Sequence, residues 1–74
     1  MSKNEIELRA ESIMSLLSQK SKLSLTEISQ RINCKELNIL LALGLLVKEN
    51  KVHISEKENG IFIESTHVLS NIYY

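Results

Sequence analysis

The sequence predicts an α+β domain: three helices followed by a small antiparallel hairpin. Three observations carry that expectation. Apolar residues recur at helical spacing up to Asn50. The period then changes to alternation at Lys51-Val52-His53-Ile54-Ser55. An Asn-Gly pair, Asn59-Gly60, separates that stretch from a second short apolar run, as in a hairpin.

The first helix is expected from about Asn4 to Gln19. Ile6, Ala10, Ile13 and Leu17 fall on one face, Met14 and Leu16 widen it, and Glu5, Glu7, Arg9 and Glu11 cover the other side. Leu23 and Leu25 flank Ser24 in a short extended piece. Ser24 then reads as an N-cap, because Glu27 three residues on completes a capping box. A second helix follows from Leu25 to Ile32, with Leu25, Ile28 and Ile32 on one face. Asn33 is its expected left-handed stop, since Asn tolerates positive φ better than most residues.

The third helix is expected from Glu36 to Glu49, and it is the unusual element. Nine of the eleven residues from Leu37 to Val47 are apolar. One stripe holds Ile39, Leu43, Leu46 and Val47. A second holds Leu37, Leu41 and Leu45, with Gly44 beside it. A helix apolar all round must be covered all round. The core of so small a domain covers one side, so the other needs a second cover.

The hairpin places Val52 and Ile54 on one face, turns at Glu56-Lys57-Glu58-Asn59-Gly60 and returns through Ile61 to Ser65. Residues 66–74 form an apolar tail with Val68, Leu69, Ile72, Tyr73 and Tyr74, expected to make a further strand or turn.

The chain has 74 residues, nine Lys plus Arg, nine acidic residues and no formal net charge. That length allows a single domain, 1–74, with its core at about 6–65. One cysteine excludes an internal disulfide framework. Met1 to Arg9 lacks the apolar stretch of a signal peptide, and Leu37 to Val47 is shorter than the roughly 20 residues that span a bilayer. A cytoplasmic protein without membrane association is therefore expected.

Helix, short strand, helix, tight turn, helix and hairpin is the order of a winged helix-turn-helix domain, three helices plus a small antiparallel wing. Ser24 to Leu46 would be the helix-turn-helix and Lys51 to Ser65 the wing. The stretches Leu41 to Leu46 and Lys48 to Val52, with Leu25 to Ile32 entering the turn, resemble a family of small bacterial winged helix-turn-helix proteins of uncharacterised role. The likeness covers residues 6 to 65. Leu45 stands where that family often has Trp, and Asn33 and Asn50 where it has Gly. The resemblance implies the fold and, in general terms, DNA binding or regulation.

Two functional readings compete. DNA binding by the third helix and wing would use Lys35, Asn38, Lys48, Lys51 and Lys57, since Lys and Asn reach phosphates and base edges. Glu27, Glu36, Glu49, Glu56 and Glu58 lie among these cations and offset them. The other reading is a protein interface through Leu37, Leu41, Gly44 and Leu45, joined by Ile72, Tyr73 and Tyr74. A homodimer is its first form, because symmetric pairs are the commonest assemblies; another protein partner is the second. Alternatively, Val68 to Tyr74 fold back and cover the stripe within one chain.

No enzyme is expected. His53 alternates outward on the wing, His67 lies in the tail, and nothing in the sequence sets either against Cys34, which reads as a buried structural thiol. The same three residues lack the spacing of a zinc site. Gly44 and Gly60 are too far apart for a phosphate loop. No metal, cofactor or small-molecule substrate is therefore expected. The favoured reading is a regulatory or scaffolding module working through protein contacts, with a DNA-binding regulator as the alternative.

Overall fold

A computed structural model of the chain describes residues 2–66. The elements are α1 Lys3–Gln19, β1 Lys22–Ser24, α2 Leu25–Ile32, α3 Glu36–Lys48, β2 Val52–Lys57 and β3 Gly60–Ser65. This is the winged helix order, and the extended piece around Ser24 proves to be a third strand. The sheet runs β1-β3-β2, antiparallel throughout.

Local sequence sets the helix ends. Ser24 caps α2: its hydroxyl accepts the Glu27 N–H at 3.1 Å, and the Glu27 carboxylate accepts the Ser24 N–H at 3.1 Å. The same Ser-x-x-Glu device starts α1 at Ser2 and Glu5, one residue earlier than the apolar spacing suggests. Each box satisfies backbone donors that a helix start leaves unpaired.

The ends of α2 and α3 are left-handed turns. Asn33 and Asn50 both have φ of 59°, the only positive values among described non-glycine residues. After α2, the Cys34 N–H reaches the Ser29 carbonyl at 3.1 Å. After α3, the Lys51 N–H bonds the Leu46 carbonyl at 2.9 Å and the Asn50 N–H bonds that of Val47 at 3.0 Å. That pair of bonds is a Schellman cap, with Asn in the position that glycine usually takes. A backbone requirement thus explains why Asn replaces Gly there.

The core draws on every element. Ala10, Ile13 and Leu17 of α1 meet Leu25 and Ile28 of α2 and Ile39, Ala42, Leu43 and Leu46 of α3. Leu23, Val52 and Ile63 close it from the sheet. Leu23 and Ile54 both pair with Ile63, so the three form one row across the helix-facing side. Burial fades along that row: Leu23 and Ile63 are fully buried, whereas Ile54, on the outer strand, is 43% exposed. Each fully buried Leu or Ile stabilises the fold by about 1.5–3 kcal/mol.

The wing turns later than expected. β2 continues to Lys57, the loop is Glu58 and Asn59, and Gly60 opens β3 with φ of 136°. Positive φ therefore falls on the glycine, while both loop residues keep negative φ. Thr66 ties the end of β3 to the end of α3: its N–H bonds the Lys51 carbonyl at 3.0 Å, and its hydroxyl bonds that of Asn50 at 2.8 Å. The further strand or turn expected beyond it lies outside the described residues.

Candidate interaction surface on the third helix

The packing of α3 fixes which of its faces is available. Ile39, Ala42, Leu43 and Leu46 point inward with at most 1% exposure. The opposite face carries Leu37 at 67%, Leu40 at 40%, Leu41 at 48% and Val47 at 44% exposure. Gly44 and Lys48 are exposed on the same side. At 100° per residue, Leu40, Gly44, Leu37 and Leu41 lie in one band, with Val47 and Lys48 at its C-terminal end. A contiguous apolar band on a small domain marks an interaction site more often than chance.

Leu37, Leu41 and Gly44 are exposed on this face as the spacing predicts, and three other residues of the helix are placed differently from that expectation. Leu45 is half-buried and packs against the core, lining a groove between α1 and α3 with Met14. Val47, expected inside, is turned outward. Leu40 belongs to the band although the spacing argument passed over it. The signal lay in Ala42: the pattern 39, 42, 43, 46 defines the inner face, and its complement contains Leu40 and Val47. Gly44 sits in the band's middle. A Cβ placed there would meet nothing within 4 Å among the described residues.

The candidate DNA contacts do not gather on this face. Asn38, the one base-reading side chain proposed, is half-buried on the flank of α3. Lys35 precedes the first turn and Lys48 ends the last, roughly 20 Å apart at 1.5 Å per residue. Lys51 is held by Glu49 at 3.5 Å. Lys57 lies at the wing tip beside Glu56 and Glu58. Glu36, in the first turn of α3, accepts a hydrogen bond from the Thr26 hydroxyl at 3.3 Å. Acid therefore sits where a phosphate would approach the helix start.

The remaining polar groups serve the scaffold. The Glu27 carboxyl is held below its ordinary range, first by the Ser24 N–H and hydroxyl, with Lys20 and Arg31 adding to the effect. Lys20 lies 3.8 Å from it. The Lys22 ammonium stands 5.6 Å from the centre of the Phe62 ring on the outer sheet face, in cation–π range. Cys34 is half-buried, short of the full burial expected, because the α2–α3 turn carries it to the core's margin while Ser29 bonds its carbonyl. His53 is exposed on β2. Among the described residues no group of three or more His, Cys, Asp or Glu side chains is placed to hold a metal ion. His67, Ile72, Tyr73 and Tyr74 lie outside the described residues.

Comparison with known proteins agrees with the winged helix architecture. Residues 1–65 match the model of a family described as Winged helix-turn-helix domain (DUF2582). The solution structure of protein BT2368 from Bacteroides thetaiotaomicron is similar at 28% identity and a TM-score of 0.81, over 93% of this chain and 84% of that one. The adhesin competence repressor AdcR from Streptococcus pyogenes is similar at 24% identity and a TM-score of 0.70, over 86% of this chain and 49% of the repressor. The Zalpha domain of Carassius auratus PKZ, solved with Z-DNA, gives 19% identity and a TM-score of 0.68, over 78% and 94%. At such identities the last two speak for the fold alone. No curated protein matches the chain. Among the described residues, no helix is long and apolar enough to cross a membrane.

Proposed function

Because the chain belongs to the Winged helix-turn-helix domain family DUF2582, we propose that it is a non-enzymatic, cytoplasmic winged-helix module whose third helix contacts protein in place of DNA. Its role is regulatory or scaffolding, and a homodimer is its first form. One observation carries this reading: the outward band of α3 holds Leu37, Leu40, Leu41, Gly44 and Val47, with Lys48 its single cation, where a DNA reader needs several of Arg, Lys, Asn or Gln. An apolar band gains nothing from phosphate, whereas burial against another apolar surface stabilises it.

The fold keeps DNA as the alternative reading, since structurally similar proteins include a repressor and a domain solved with Z-DNA. Against it stand the zero net charge, the ion-paired Lys51 and the half-buried Asn38. Two measurements separate the readings. Sedimentation should show self-association that Leu41→Glu abolishes. Titration of labelled duplex at low salt, where phosphate contacts are strongest, should show no binding. Tight binding that Lys35→Ala and Lys57→Ala weaken, with a monomeric chain, would reverse the assignment.

A further inference from the structure

We infer that α3 is covered by α3 of a second copy, crossing it antiparallel about a two-fold axis level with residue 42. This rests on the proposed protein-contact role and adds the partner's geometry. The register follows from three features of the helix. Gly44 is the one exposed position in the band without a side chain, and no described residue comes within 4 Å of where its Cβ would stand. An antiparallel crossing level with residue 42 sets Leu40 over the partner's Gly44, and the partner's Leu40 over Gly44. A large side chain thus enters the only gap in each band.

Charge selects the same arrangement. The first turn of α3 holds Glu36 and the last holds Lys48. In this register Lys48 is level with the partner's Glu36 at one end, and the exchange repeats at the other. A parallel pair would instead bring like charge to like charge. Antiparallel α3 helices also align their dipoles favourably. With equal numbers of cationic and anionic residues, two copies approach without net repulsion.

The two-fold places Leu41 closest to its own copy, and Leu37 against the partner's Val47. The apolar band is small, four aliphatic side chains that are 40% to 67% exposed. A standard interface takes roughly 800 Å² and some 20–30 residues per partner, so a dimer built on this band should be weak. It also closes α3 to any other ligand, so self-association and use of the helix-turn-helix face exclude one another.

Charge placed at Leu41 gives the test. Leu41→Glu and Leu41→Lys are each sedimented alone and then mixed in equal amounts, with circular dichroism checking the fold; Leu41 is half exposed, so both variants should fold. Each alone should be monomeric at concentrations where the parent is a dimer, because like charges meet at the axis. The mixture should recover the dimer. Recovery supports the two-fold at Leu41. Monomeric variants whose mixture stays monomeric overturn the register while leaving α3 as the contact face. Variants that dimerise like the parent overturn both. A parent that stays monomeric to about 1 mM overturns the second copy as partner. A second pair, Glu36→Lys and Lys48→Glu, reads the ends: each alone should weaken association several-fold, and the mixture should restore it. Equal association in all samples would overturn the antiparallel pairing.

Discussion

Gly44→Ala should act with opposite sign on the single chain and on the pair. Gly44 lies inside α3, exposed, with no described residue within 4 Å of the position a Cβ would take. An alanine there meets no clash and removes the entropic cost of glycine in a helix, about 0.5–1 kcal/mol. For a domain of this size that raises Tm by about 2–8 °C. Urea unfolding followed by circular dichroism, at a concentration low enough to keep the chain monomeric, reads this gain. The pair should respond the other way. A new methyl beneath the partner's Leu40, twice per dimer, overpacks a fitted contact, and overpacking costs about 1–3 kcal/mol. Sedimentation should then show a Kd raised tenfold or more. A less stable monomer would refute the account of α3 as having an open outer surface at Gly44. A more stable monomer with unchanged association would refute the Leu40–Gly44 contact.

Asn50→Ala should cost about 1 kcal/mol, because φ of 59° puts a Cβ against the backbone, whereas Asn50→Gly should be neutral or stabilising; paired denaturation curves check this. Ser24→Ala should cost about 1 kcal/mol at neutral pH through loss of the α2 cap. The Glu27 part of that cap is pH-dependent. Its folded pKa lies below the ordinary 4.5, so its contribution is complete above that value and fades as pH falls through the folded pKa. The stability gap between the parent and Glu27→Gln should therefore narrow in acid, and a gap constant from pH 7 to 3 would contradict the cap. Ile63→Ala, at the centre of the sheet's buried row, should cost about 2–5 kcal/mol, read from the shift in urea midpoint.

Features held by local chemistry were legible in the sequence. The Ser24–Glu27 box, the left-handed Asn33 and the bounds of α2 follow from short-range rules, and all three stand in the structure. The Ser2–Glu5 box obeys the same rule but precedes the apolar spacing, so spacing alone starts α1 late. The third strand was less legible. Lys22–Ser24 earns its place by pairing with Phe62, Ile63 and Glu64, some forty residues away, and no local pattern encodes that partner. The candidate surface was half legible. A helix apolar all round announces two faces, but the small Ala42 decides which way it turns, and so which of Leu40, Leu45 and Val47 reach the surface. The conflict of Leu37 and Leu41 with DNA reading was visible from composition, while the retreat of Asn38 to a half-buried flank needed the packing.

The strand order has a consequence for how such a domain stays orderly in a crowded cell. Among the described residues β3 lies in the middle, and the two rims of the sheet fall to β1 and β2. β1 is three residues long, too short to template much added strand. β2 starts at the buried Val52 and then carries His53, Glu56 and Lys57 along its five exposed residues. Short rims and charged rims both discourage a neighbour from extending the sheet, which is the usual route to open-ended aggregation. The apolar band of α3 carries no such risk if it pairs as proposed, because a two-fold contact closes on itself after two copies and does not propagate.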